Sequence, residues 1–250
     1  MKIDLNADLG ESFGAYTVGN DDELLKLITS ANVACGFHAG DYSTIPSTIH
    51  SVKSNGVSLG AHPGFQDLQG FGRRMMKLAP EEIYHLIIYQ LGAISGFAKA
   101  QNVPLVHVKP HGALYNFACK DWEAAQAIAQ AVYDFDSSLI LYGLCNSELV
   151  DAAQEKGLRV AREAFADRRY TDDGQLMSRN ESGAVLTDTE DITKQVLQIV
   201  RDGKVVSGNG NEVYLSADTI CIHGDTSEAV EHAVALQSTL KDNGITIKSL

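Results

Sequence analysis

The stretch Ile3-Asp4-Leu5-Asn6-Ala7-Asp8-Leu9 alternates apolar and polar residues without a break. A period of two reads as a strand over residues 3–7, with Asp4, Asn6 and Asp8 on one face and Ile3, Leu5, Ala7 and Leu9 on the other. At a sheet edge, that polar face would simply be wet. In a covered or closed sheet, it would turn three polar groups into an enclosed space. The rest of the chain has to decide between these readings.

Beyond Leu9, short apolar runs alternate with longer helical patterns. Further strands are predicted at 31–35, 57–61, 103–108, 139–143, 158–161 and 218–222, and helices at 21–29, 44–54, 80–100, 122–133, 147–156, 191–201 and 227–240. The helix from Pro80 carries Ile83, Leu86, Ile87, Leu91, Ile94 and Phe97 at helical spacing and places Glu81 and Glu82 in its first turn, where they suit the helix dipole. Strands separated by helices form parallel sheets. With no linker, low-complexity tract or repeat, residues 1–250 are expected to form one domain. Periodicity leaves two architectures open, a closed barrel and an open doubly wound sheet.

The polar pattern of the first strand recurs at the ends of the others. Asn32 and His38 bracket the end of the second, and Asp41 follows. His62 ends the third; His107, Lys109 and His111 alternate along and past the fourth; Glu163 and Asp167 follow the sixth; His223 and Asp225 follow the last. Sites in parallel α/β folds form at the carboxyl ends of the strands. One histidine after one strand is ordinarily a packed structural residue. Ionisable groups after nearly every strand point to one shared site. Asp4 and Asn6, deeper in their strand, could instead serve loop amides. Asp21, Asp22 and Glu23 read as helix-capping residues. His50, His85 and His232 fall in helical patterns away from strand ends and read as surface or packing residues. Alternation turns Cys35 away from the face of Asn32 and His38, toward a packing role. Two arginine pairs, in Gly72-Arg73-Arg74 and Asp167-Arg168-Arg169, lie in loops on the same side. The guanidinium fork suits carboxylate or phosphate.

Composition narrows the partners. A net charge of −12, from 20 Lys and Arg against 32 Asp and Glu, argues against nucleic acid. It leaves room for a small anion gripped by local arginines. The 44% hydrophobic and 21% charged content is that of an ordinary soluble globular protein. No apolar run approaches the roughly 18 residues of a membrane helix. Cys35, Cys119, Cys145 and Cys221 form no CxxC pair, which with the acidic start predicts a cytoplasmic protein with reduced thiols. The GxxxxGK[ST] phosphate loop, the GxSxG elbow and the HExxH helix are all missing.

The strand-end motifs, taken in order, resemble the LamB/YcsF family of 5-oxoprolinase A-type subunits. They are Asp4-Leu5-Asn6-Ala7-Asp8-Leu9-Gly10-Glu11, Asn32-Val33-Ala34-Cys35-Gly36-Phe37-His38-Ala39-Gly40-Asp41, Gly60-Ala61-His62-Pro63-Gly64, Gly70-Phe71-Gly72-Arg73-Arg74, His107-Val108-Lys109-Pro110-His111-Gly112-Ala113-Leu114-Tyr115-Asn116, Glu163-Ala164-Phe165-Ala166-Asp167-Arg168 and Cys221-Ile222-His223-Gly224-Asp225. The resemblance implies a single-domain, seven-stranded (β/α) barrel, TIM-like and similar to the glycoside hydrolase/deacetylase barrels. It implies ATP-dependent hydrolysis of 5-oxo-L-proline to L-glutamate with two further subunits, of B and C types. ATP and magnesium would be used by the complex rather than by this chain alone; whether the chain also forms a homo-oligomer stays open.

On this reading Asp8, His62, Lys109, His111, Glu163 and His223 carry the chemistry. Asp4, Asn6, Glu11, Asn32, His38, Asp41, Arg73, His107, Asp167, Arg168 and Asp225 surround the substrate. Asp8, oriented by His62 or His111, is expected to act as general base on water. Lys109 and Arg73 would hold phosphoryl or carboxylate oxygens, and His223 or Glu163 would protonate the departing nitrogen. Replacing Lys109 is expected to change folding little. Two alternatives remain at this point. One is a metal-dependent amide or carbohydrate hydrolase or deacetylase, with Asp8, His62, His111 and His223 around an ion. The other is a non-catalytic carrier subunit.

Overall fold

The computed structural model describes residues 1–222 and 228–250. In chain order its elements are β1 (Lys2–Leu9), α1 (Asp21–Leu24), β2 (Ser30–Ala34), α2 (Thr44–Asn55), β3 (Ser58–His62), α3 (Pro80–Ala100), β4 (Leu105–Val108), α4 (Gly112–Ala118), α5 (Trp122–Asp136), β5 (Ile140–Leu144), α6 (Glu148–Lys156), β6 (Arg159–Phe165), α7 (Thr189–Asp202), β7 (Lys204–Val206), β8 (Glu212–Tyr214), β9 (Thr219–Ile222), α8 (Ala229–Asp242) and β10 (Thr246–Ile247). Parallel pairing runs β1-β2-β3-β4-β5-β6-β9, and β9 pairs back with β1. The sheet therefore closes as a seven-stranded parallel barrel, and the open-sheet architecture is excluded. β10 adds to the start of β1, while β7 and β8 form a separate antiparallel hairpin.

Closure explains the sequence that opened the question. A barrel has no edge strand, so the polar face of β1 looks into the lumen and its apolar face looks out toward the helices. Leu5, Ala7 and Leu9 are fully buried, in one continuous apolar cluster that also holds Ile49 and Val52 of α2 and Ile83, Ile87, Leu91 and Ile94 of α3. Each such large aliphatic side chain, once buried, stabilises by about 1.5–3 kcal/mol. α3 begins at Pro80, and the Glu82 carboxylate accepts the Ala79 N–H at 2.7 Å, so the helix starts where the sequence predicts. A second, smaller apolar cluster of Ile140, Tyr142 and Ala161, with Val106 and Leu250 against it, plugs the amino-terminal end of the lumen.

The seven predicted strands are the seven barrel strands. β6 runs on to Phe165 because the polar Arg162 and Glu163, which interrupt the apolar run, still pair with Gly143 and Leu144 of β5. α1 ends at Leu24, short of the predicted 29, because the Thr29 N–H and hydroxyl turn to the Leu5 carbonyl and to Asp4. Four short elements, α4, β7, β8 and β10, are too brief to register as a period. All four cysteines are buried and free, and Cys35 is packed within the main apolar cluster. No described helix is long and apolar enough to cross a membrane.

Candidate functional site

The lumen is built in polar layers, beginning above the plug with Asp4. This carboxylate is fully buried and accepts four hydroxyl donors: Thr29 and Ser30 on Oδ1, both at 2.7 Å, and Tyr142 at 3.1 Å and Thr219 at 2.6 Å on Oδ2. A carboxylate has about four acceptor positions. Asp4 therefore ties four strands or loops together beneath the cavity rather than facing it.

One pleat higher, two amides and an imidazole interlock. Asn6 Nδ2 donates to Glu163 Oε1 and Thr219 Oγ1, and Asn6 Oδ1 accepts from Asn32 Nδ2 at 2.8 Å. Asn32 Oδ1 accepts from His107 Nε2 at 2.8 Å, which fixes that tautomer. Burial, reinforced by Lys109, lowers the His107 pKa to about 3, so the ring is neutral. It stacks on Tyr142 and occupies the space a side chain at residue 60 would need, since a Cβ on Gly60 would collide with the ring at Nε2.

The third layer holds the charge. Lys109, 2% exposed, places its ammonium 3.0 Å from Asp8 Oδ1, 2.9 Å from Glu163 Oε1, 3.2 Å from Asn6 Oδ1 and 3.0 Å from Cys221 Sγ. Burial opposes the ammonium, but Asp8, the Cys221 sulfur and Glu163 together hold its pKa well above the usual lysine value. Its donors are directed at protein acceptors. The expectation that Lys109 matters little to folding is therefore reversed, because its removal would leave Asp8 and Glu163 facing each other in a dry site. Glu163 is sealed as well, with Oε2 accepting the Tyr115 hydroxyl at 2.7 Å. Asp8 differs from both Asp4 and Glu163: its side chain is 14% exposed and it lines the cavity, while Asn32 and Lys109 hold its Oδ1.

The rim of the lumen carries an imidazole cluster. His62 Nδ1 lies 2.7 Å from the Lys109 carbonyl, and His62 Nε2 lies 3.2 Å from Asp8 Oδ2 and 2.9 Å from His111 Nδ1. His111 Nε2 lies 2.7 Å from the Phe71 carbonyl. His38 stacks on His111 with centroids 3.7 Å apart, and its Nε2 is 3.1 Å from Glu11 Oε1. Burial, then the neighbouring histidines, holds His111 well below the usual imidazole pKa; burial first, then His62, does the same for His38.

These groups open onto a cavity of about 860 Å³, lined in part by Asp8, His62, Lys109, His111, Arg73 and Arg168. The far wall comes from the segment after β6, whose Arg179 joins the two arginines. Arg168 is 4% exposed and donates through Nη2 to the Met177 carbonyl, while its Nε has no hydrogen-bond partner. Burial and then the nearby Arg179 lower its pKa to about 10, leaving it charged. Arg73 is exposed and lies over the Phe71 ring, 5.1 Å from its centroid.

Two expected site residues sit elsewhere. Asp41 receives the backbone N–H groups of Gly14, Ser43 and Thr44, each at 2.7 Å, and so fastens the β1 loop to the start of α2. Asp167 lines a separate 340 Å³ pocket with Val185, Thr187 and His232. His223 and Asp225 lie outside the described residues. Asp21, read as a helix cap, instead accepts the Gly10 N–H at 2.8 Å and pins the loop that carries Glu11; burial raises its pKa to about 6. Sequence reasoning missed Tyr115, Cys221 and Arg179 as site members. Tyr115 stood in a quoted motif, but the helix that aims it was hidden behind Gly112.

Comparison with known proteins agrees with this architecture from end to end. A protein from Staphylococcus haemolyticus, named as the A subunit of 5-oxoprolinase, is 58% identical over 250 residues, covering all of both chains. The crystal structure of the lactam utilization protein from Thermus thermophilus superposes with a TM-score of 0.95 at 48% identity, covering all of both chains. A peptidoglycan deacetylase from Bacillus subtilis superposes with a TM-score of 0.51 at 13% identity, over 100% of this chain and 87% of that one, and shares the barrel alone. The model of the LamB/YcsF family matches residues 3–250, and this chain belongs to that family.

Proposed function

We propose that this chain is the A-type subunit of an ATP-dependent 5-oxoprolinase, opening the ring of 5-oxo-L-proline to L-glutamate with B- and C-type partners. The observation that carries the proposal is end-to-end similarity, at 58% identity, to a protein bearing that name. The geometry gives it a chemical basis. A lactam carbonyl is a poor electrophile, so coupling to ATP implies phosphorylation of the amide oxygen before water attacks the ring carbon. An activated intermediate needs a dry cavity, a base and anion ligands.

Asp8 is the base. Among the described residues, the Asp4 and Glu163 carboxylates of the lumen are sealed, whereas Asp8 reaches the cavity. Lys109 and Asn32 fix its Oδ1, so Lys109 acts as a positioning residue and as a counter-charge. Arg73, Arg168 and Arg179 are the anion ligands: three guanidiniums around one cavity repel one another until a carboxylate or phosphoryl group arrives. Glu163 has both oxygens engaged, so it holds the site together rather than protonating the departing nitrogen. The barrel works as one folding unit in the cytoplasm, and ATP with magnesium is used by the assembled complex.

The test is reconstitution. With partner subunits, ATP, magnesium and 5-oxoproline, glutamate and phosphate should appear together, and the chain alone should release neither. Full turnover by the isolated, folded chain would refute the division of labour. An inactive complex that contains every folded subunit would refute the activity itself.

A further inference from the structure

Glu11, His38, His62 and His111 are all buried, and their donor atoms lie within 4.8 Å of one another. The positions of two protons follow from the backbone. A carbonyl oxygen only accepts, so His62 carries its proton on Nδ1 toward Lys109 O and His111 carries its proton on Nε2 toward Phe71 O. That leaves bare lone pairs on His62 Nε2 and His111 Nδ1, facing each other at 2.9 Å. Lone pairs that close repel, and a positive species is needed beside them. Two carboxylates stand ready to share it: Glu11 Oε1 lies 3.5 Å from His111 Nδ1 and 3.1 Å from His38 Nε2, and Asp8 Oδ2 lies 3.2 Å from His62 Nε2.

We propose that Glu11, His38, His62 and His111 form a binding site for one divalent transition-metal ion, of the zinc or cobalt kind, with Asp8 beside it. Four donors in a tetrahedron around such an ion lie about 3.4 Å apart; the His62–His111, His38–Glu11 and His111–Glu11 distances, 2.9, 3.1 and 3.5 Å, lie near that value, and all the donor atoms fall within 4.8 Å of one another. Three imidazoles with one carboxylate suit zinc, cobalt, nickel or iron; magnesium and calcium favour oxygen ligands. The carbonyls of Lys109 and Phe71 do what outer partners of metal-bound histidines do: they fix the tautomer and the ring plane. Phe71 adopts φ 55°, an unfavourable conformation for a bulky residue, within the turn that brings its carbonyl to His111. Gly64 and Gly72 keep that turn tight, since a Cβ on Gly64 would come within 2.8 Å of His38 Nδ1, and one on Gly72 within 2.7 Å of His111 Cδ2.

His62 and His111 also line the large cavity with Asp8, so an ion held here would stand at the substrate's side. Bound there, it would supply Lewis-acid polarisation and an acidified water.

The test reads binding, not turnover, so its outcome is separate from the proposed reaction. The full chain, free of polyhistidine tags, is stripped with a chelator and titrated with Co2+ while visible absorption and thermal midpoint are followed. The expected result is a saturable d–d spectrum at about one ion per chain, with a rise in thermal midpoint. Elemental analysis of unstripped protein then identifies the native ion. Glu11→Gln and His111→Asn should lose both signals, while His85→Asn, on the exposed face of α3, should keep them. Should His111→Asn fail to fold, Glu11→Gln, which preserves shape, decides. A spectrum like that of the aqueous ion, with no thermal shift, would overturn the site and leave a proton shared between the two imidazoles. A saturable spectrum that survives in folded Glu11→Gln would also overturn it, because the ion would then sit elsewhere.

Discussion

Asp4 and Asp8 stand on the same face of the same strand, four residues and so about 13 Å apart, yet they are embedded in different chemistry. Around Asp4 every described donor is a neutral hydroxyl, and the side chain is fully buried. Around Asp8 the donors are an ammonium and an amide, an imidazole flanks it, and one side meets the cavity. The contrast separates a carboxylate that fastens the barrel from one placed to react. The kind of donor and the access to space draw that line, since residue type and strand position are shared.

The comparison can be broken experimentally, and the largest effect should come from the link between its halves. Lys109→Met leaves Asp8 and Glu163 without their shared cation, and should cost about 3–5 kcal/mol in a denaturant titration. A stability change below about 1 kcal/mol would mean that the clamp does not hold in solution. Next, Asp8→Asn in the reconstituted complex should lower turnover by at least about 100-fold while the chain melts nearly normally. Asp4→Asn should do the opposite. Its amide would present N–H to hydroxyl donors, costing about 1–3 kcal/mol, with turnover per folded molecule unchanged. If Asp4→Asn and Asp8→Asn behave alike, the two layers are one functional unit and the distinction fails.

The smallest effect should come from Asp41, a third carboxylate held by backbone amides outside the barrel. Asp41→Ala should cost about 1 kcal/mol with activity intact. The Gly14 and Thr44 N–H groups lower the Asp41 pKa from 3.8 to about 2, so its contribution is present above the unfolded value and is lost as pH falls through the folded one. The stability gap between wild type and variant should therefore be constant near neutrality and close between pH 4 and 2. A gap that widens on acidification would show that Asp41 is not held by those amides.

How much was legible in the sequence follows from what a period records. Alternation gives the face, so the polar side of β1, the packing role of Cys35 and the convergence of His62, Lys109 and His111 could all be read. It gives neither depth nor partner, so Asp4 and Asp8 read alike, and Lys109 read as a free anion ligand rather than a buried clamp. Closure of the sheet depends on β9 meeting β1, a contact between residues more than 200 positions apart that no local pattern carries. Tyr115 escaped because its helix spans only Gly112–Ala118, less than two periods, behind a glycine that reads as a turn. Asp21 looked like a cap because acidic residues in a first helical turn suit the exposed N–H groups there; its carboxylate went instead to the Gly10 N–H.

The apolar plug of Ile140, Tyr142 and Ala161 has a consequence for traffic. Among the described residues, a lumen stoppered at one end is a blind alley, and whatever enters leaves by the same mouth. The occupant lodged deepest, against Asp8 and Lys109, departs only after whatever lies between it and the rim has gone. Turnover in such a vessel is sequential at the exit, and no second molecule can push the first out from behind.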